Sequence, residues 1–205
     1  MRRILLIAHR VPVSGAFTLN DLAGGAGRMD EIARCVSTAF TLSNALRQDA
    51  EMTILFVAEP PPKARRIEVV GNRLRYLNPD ERSTAALLKN ALVRSIPLDR
   101  DLESSPGLRV GPVDPGPAIR TFAAHPGAFW LTEDGSPYRS SPLLDGGFSA
   151  IVSDPTDPTP EEVELFRSLG IPKLSLGPRS MRSSQCLDAL NHEADLREIR
   201  RIGEG

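Results

Sequence analysis

Two short, nearly unbroken apolar runs at residues 3–8 and 52–58 constrain this chain more than any other feature. The second reads Met52-Thr-Ile-Leu-Phe-Val-Ala58. A run of that length without polar alternation marks a strand buried on both faces, and such strands belong to parallel sheets covered by helices. Between the two, residues 29–47 carry Ile32, Cys35, Val36, Ala39, Leu42 and Leu46 at helical spacing, which predicts an amphipathic helix.

The same alternation continues along the chain. Gly71-Asn72 lies within an alternating stretch at 66–77, and this predicts a β-hairpin. Asn78-Pro-Asp-Glu-Arg-Ser83 opens a helix to about residue 95. Residues 97–117 are loop-rich with a short strand at 108–110, followed by a helix near 117–124. Residues 128–131, 148–152 and 174–176 read as further strands. Pro160, with Glu161 and Glu162 behind it, starts a helix, and Ser183 or Ser184 caps a last one to about Arg200. The sequence ends in Gly203-Glu-Gly205, read as a frayed end. The expectation is an α/β domain spanning 1–205, with a mostly parallel sheet, helices on both faces and a hairpin insertion near 62–78.

Charge and composition narrow the function. With 25 basic and 26 acidic residues, any nucleic-acid surface must be a local patch. Aromatic residues make up 5%, too few for a broad base-stacking platform. Cys35 and Cys186 are the only cysteines, which fits a reducing, cytoplasmic setting rather than a disulfide scaffold. No apolar run reaches membrane-spanning length, and His9 and Arg10 end the N-terminal run too soon for a signal peptide.

No glycine-rich phosphate loop and no nucleophile elbow is present, and no two of His9, His125 and His192 have metal-ligand spacing. What remains is three loops. At Leu176-Gly-Pro-Arg-Ser180 a strand turns into a helix and leaves backbone N–H groups free for a purine edge or a carboxylate. The alternative is an ordinary connection, with Cys186 a small core residue. The glycine-rich loop 17–30 brings Asp21, Arg28 and Asp30 near the end of the first strand. A carboxylate there could serve as a base, or Asp30 could begin the helix while Arg28 is solvated. Lys63, Arg65, Arg66, Arg73 and Arg75 form a basic cluster, either a solvated surface or a phosphate-contact patch.

Four blocks in collinear order resemble the archaeal tRNA pseudouridine-54 N1-methyltransferase family, a branch of the SPOUT methyltransferases. They are FTLNDLAGGAGRMDEIARC at 17–35, PKAR…LNPDERSTAALLKNA at 62–91, ESSPGLRV at 103–110, and SLGPRSMRSSQCL at 175–187 running on through Asn191-His-Glu193. The resemblance implies a C-terminal trefoil knot with a cofactor region near 128–200, a homodimer, and S-adenosylmethionine held by three loops. Those loops map to Leu131, to Ser153-Asp154, and to 176–186 with Leu176, Gly177, Met181 and Cys186. The second usually reads Gly-Asp-His in this family; here it reads Ser153-Asp154-Pro155, which adds a Cβ and removes an amide donor.

The implied reaction is attack of pseudouridine N1 on the activated methyl group with loss of the N1 proton. Asp21 and Asp30 are the candidate proton acceptors or ring-orienting groups. Arg10, Arg28, Arg34 and Arg179, with Arg66 of the basic cluster, are candidate carbonyl or phosphate contacts. The partner is tRNA or another pseudouridine-containing RNA. The alternatives are a free pseudouridine-like nucleoside, another RNA position, or RNA binding without catalysis.

Overall fold

The computed structural model describes residues 1–58 and 64–203. Its frame is one eight-stranded sheet ordered β4-β5-β3-β2-β1-β7-β6-β8. β1 (Arg2–Ala8) lies at the centre, parallel to β2 (Ala50–Phe56) on one side and β7 (Phe148–Ser153) on the other. β6 (Ala128–Pro137) and β8 (Lys173–Ser175) extend the parallel half. β3 (Arg65–Val70), β5 (Leu108–Pro112) and β4 (Leu102–Ser105) make an antiparallel flank.

Side chains alternate across the sheet, so the apolar runs feed two cores. Ile4, Leu6, Met52, Ile54 and Phe56 pack with α1 (Met29–Phe40), α2 (Glu81–Ser95) and α5 (Ser183–Gly203). Leu5, Ile7, Leu55 and Ile151 face the other way, against Ile119 and Phe122 of α3 (Pro115–Ala123) and Phe166 of α4 (Pro160–Ser168). Helices therefore cover both faces, as the continuous apolar strands require. The Thr159 hydroxyl accepts the Glu162 N–H while the Glu162 carboxylate accepts the Thr159 N–H, a reciprocal cap that fixes where α4 begins. Among the described residues no helix is long and apolar enough to cross a membrane.

Four expectations are corrected. The first helix stops at Phe40 rather than Arg47. Thr41 turns extended, Leu42 N–H reaches the Ala45 carbonyl, Arg47 N–H reaches the Phe40 carbonyl, and Leu42 is left 47% exposed. Ser43-Asn44 sits at this turn, which sends the chain back towards β2. The hairpin at 66–77 does not form. A two-residue hairpin turn needs positive φ, and neither Gly71 nor Asn72 has it. Gly71 instead begins a short 3-10 turn where a Cβ would come within 2.1 Å of the Arg47 carbonyl oxygen, and the edge of β3 is taken by β5. The loop-rich reading of 97–117 missed β4, whose bulged pairing with β5 leaves little periodicity to see. The final helix also runs on to Gly203, the last described residue.

β6 departs from a simple strand where it matters most. Leu174 of β8 is the partner of both Leu131 and Ser136, so residues 132–135 bulge out between the two contacts. Gly135 permits this: a Cβ there would lie 2.5 Å from the Leu174 carbonyl carbon.

Candidate active site

The carboxyl ends of β6, β7 and β8 open onto one cavity of about 610 Å³. This is where parallel α/β sheets gather ligand loops. The wall after β6 supplies Trp130, Leu131, Thr132 and Glu133; the wall after β7 supplies Val152, Ser153, Asp154, Pro155, Asp157 and Pro158. The turn after β8 supplies Leu176, Gly177, Arg179, Met181 and Arg182, and Cys186 closes the base from α5. Arg28 reaches in from the loop before α1.

Local chemistry sets each wall. Gly177 has φ 145° and nothing within 4 Å of where a Cβ would stand, so glycine is there for its backbone angle and faces open space. The Ser175 hydroxyl accepts the Gly177 N–H at 3.1 Å and donates to the Gly177 carbonyl at 3.0 Å, tightening the turn. The Ser183 hydroxyl donates to the Ser153 carbonyl and ties the β8 turn to the β7 loop. Burial pushes the Cys186 thiol up to about 11, so it is a neutral wall group rather than a nucleophile.

All six expected cofactor residues, Leu131, Ser153, Leu176, Gly177, Met181 and Cys186, line this cavity, and so do Arg28 and Arg179. The other expected residues do not. Asp21 is exposed and its carboxylate accepts the N–H groups of Gly25 at 2.7 Å and Gly24 at 2.9 Å. Those amides hold it below its ordinary range, which makes it a poor base. Asp30 does begin α1, but Arg28, partly exposed, is paired rather than free in solvent. It grips Asp30 through two bonds of 2.9 and 3.1 Å, while Arg34 holds the same carboxylate and also Glu31 and Glu81. Burial would raise the Asp30 carboxyl, but the two guanidinium groups outweigh it and keep it low.

Arg10 has an exposed side chain outside the cavity lining. Arg66 is spent on Glu68 and Asp101 at 2.8 Å each and on the Pro112 carbonyl, at the antiparallel flank. Arg65 is 4% exposed and so drops out of the basic cluster's surface, while Arg73 stays exposed and pairs with Glu103 at 3.1 Å. Lys63 lies outside the described residues.

Sequence reasoning missed a buried trio beside the β7 loop. His9 Nδ1 lies 3.1 Å from Asp154 Oδ1, and its Nε2 lies 2.9 Å from Glu162 Oε2. The signal was obscured because β1 and β7 become neighbours only through the register Ile7↔Ser153. Trp130, Glu133 and Arg182 were missed as well; they flank expected positions and share their loops.

Acidic residues (Glu133, Asp157) and guanidinium groups (Arg28, Arg179, Arg182) share this cavity with apolar walls. Such a set defines an α/β protein that binds a ligand carrying charge of both signs and an apolar body. Residues 1–199 match the family described as "Putative SAM-dependent RNA methyltransferase", and the chain belongs to that family. It is 40% identical over 201 residues to the tRNA (pseudouridine(54)-N(1))-methyltransferase of Methanocella arvoryzae, covering 96% of this chain and 100% of that protein. It is 32% identical over 202 residues to the protein of the same name from Haloferax volcanii, covering 95% and 96%. The crystal structure of Archaeoglobus fulgidus Nep1 bound to S-adenosylhomocysteine shares the fold, with TM-score 0.65, 16% identity, and 97% and 98% of the two chains covered.

Proposed function

We propose that the chain transfers a methyl group from S-adenosylmethionine to N1 of pseudouridine in tRNA, at position 54. One observation carries this reading: six residues spread over three loops, from Leu131 to Cys186, converge on a single cavity. The names of the full-length relatives support the substrate.

The residues present fit the methyl donor. Glu133 and Asp157 suit its sulfonium charge, a guanidinium from the turn after β8 suits its carboxylate, and Leu131, Val152, Leu176 and Met181 offer apolar cover for adenine. Bound there, it supplies an electrophilic methyl carbon on a good leaving group. Ser153 and Pro155 are part of the lining of this cavity of about 610 Å³.

The protein's own part is alignment and charge. N1 of the uracil-like ring attacks the methyl carbon, the carbon–sulfur bond breaks, and the N1 proton passes to solvent or a nearby base. Arg28 meets the developing negative charge on the ring, and Asp30 holds Arg28 in place through the paired bonds. The left-handed backbone at Arg28, φ 70°, turns the chain into α1 at this point. Arg179 contacts substrate phosphate at the rim.

The same reading makes the chain one methyltransferase domain, knotted near 128–200, homodimeric and cytoplasmic. The knot and the dimer rest on the family resemblance, the cytoplasmic setting on the two cysteines, and light scattering tests the dimer. The reaction is tested by methyl transfer to a pseudouridine-bearing tRNA stem-loop, its uridine counterpart and free pseudouridine. Transfer to the first alone is expected. Transfer to free pseudouridine at an equal rate would replace RNA by a nucleoside as the substrate.

A further inference from the structure

We propose that His9 is a positioning residue for the methyl-donor cavity: by bridging Asp154 and Glu162, its ring fixes the β7 loop as a wall against which the ligand binds. This rests on reading the cavity as the S-adenosylmethionine site.

The geometry is specific. His9 follows β1 directly, at the centre of the sheet, and its side chain is 10% exposed. Asp154 follows β7 and its side chain is fully buried; Glu162 stands in the first turn of α4, 14% exposed. One Asp154 oxygen accepts the backbone N–H groups of His9 at 2.8 Å and Arg10 at 3.2 Å; the other accepts Thr156 N–H at 3.0 Å and faces the His9 ring. Glu162 Oε2 takes the second ring nitrogen and caps α4 through Thr159 N–H. The ring therefore joins the strand end, the β7 loop and the helix that follows it.

His9 itself does not line the cavity, whereas Asp154, Pro155, Asp157 and Pro158 do. It acts through them. A doubly bonded imidazolium also balances one of two closely placed carboxylates. Without its proton, two negative charges face each other through a ring that can donate to only one of them. The wall would then loosen, and ligand affinity would fall with it. Burial disfavours the charged ring, but the bonds to Asp154 and Glu162 outweigh it and carry its pKa up to about 9. The charged groups bonded to it are Asp154 from the β7 end and Glu162 from α4.

The test measures S-adenosylhomocysteine affinity by calorimetry from pH 6 to 10 for the wild type, His9→Gln and Glu162→Gln, with circular dichroism to check folding. His9→Gln is expected to bind about tenfold more weakly at neutral pH, the scale of one charge-assisted hydrogen bond, with tRNA affinity unchanged. In the wild type the affinity is expected to fall above about pH 9. In Glu162→Gln that fall is expected to move to lower pH, because one carboxylate that held the proton is gone. A folded His9→Gln protein binding within about twofold of the wild type overturns the proposal. If His9→Gln does not fold, an alkaline fall that stays in place in Glu162→Gln overturns it instead. Failure of the wild type to bind at any pH removes the cavity assignment itself, which weakening in the variants alone does not.

Discussion

Glu31 on α1 accepts the backbone N–H of Ser184, at the start of α5, at 2.8 Å. The carboxylate is 1% exposed and also meets Arg34 at 3.1 Å. A buried negative charge at a helix start satisfies an N–H that has no partner in its own helix and complements the dipole. Through this contact the helix that carries Asp30 is joined to the helix that carries Cys186. Glu31→Ala is expected to cost about 1.5–3 kcal/mol, the range for a hydrogen bond to a charged group, in urea unfolding. Glu31→Gln, which can still accept from Ser184, should lose less.

Arg28 and Asp30 are expected to behave as a unit. Arg28→Ala should lower kcat/KM by about a hundredfold, as for loss of one charge-stabilising donor. Asp30→Asn should cost less, because it disorders the guanidinium without deleting it. The double variant should be little worse than Arg28→Ala alone, a non-additivity that steady-state kinetics would reveal. Fully additive losses would give Asp30 a role of its own.

Stability should depend on pH through His9. Its proton is held more tightly in the folded chain, up to about 9 from an ordinary 6.5. Below the lower value both folded and unfolded chains carry the proton and the stabilisation is complete. It fades as pH rises through the interval and is gone above the upper value. Chemical denaturation at several pH values should show this slope in the wild type and its loss in His9→Gln.

Gly135→Ala tests the bulge in β6. Its new methyl group would meet backbone atoms of Leu174 between 2.5 and 2.9 Å, which no side-chain rotation relieves. A loss of about 1–3 kcal/mol is expected, together with weaker S-adenosylhomocysteine binding. Gly203→Ala, with nothing within 4 Å, should leave stability within about 0.5 kcal/mol and serves as the control.

Cys186 offers a direct view of cavity occupancy. It is partly exposed and its thiol titrates near 11, so alkylation at neutral pH should be slow but measurable by mass spectrometry. S-adenosylhomocysteine should protect it. Cys35, fully buried, should stay unlabelled while the protein is folded.

Much of this was legible in the sequence, and the reasons are physical. The runs at 3–8 and 52–58 became neighbouring parallel strands because nothing but burial on both faces suits them. Pro160 and its two glutamates started α4 as their backbone chemistry dictates. The residues expected at the cofactor came from resemblance rather than from spacing; their convergence on one cavity depends on a strand order that no local pattern encodes. The hairpin at Gly71 failed because a glycine can mark a close approach as readily as a turn. The bridge made by His9 escaped notice for a related cause: its partners are 145 and 153 residues away.

The double use of Leu174 has a thermodynamic consequence. The β6 wall leaves and returns on the residue that stands two before Leu176, the first residue of the opposing turn to line the cavity. Both walls thus hang on one short strand and share its position. A ligand entering between them need not freeze two independent loops. Ordering entropy already spent in folding the strand is not charged again on binding, and a larger share of the contact energy is left as affinity.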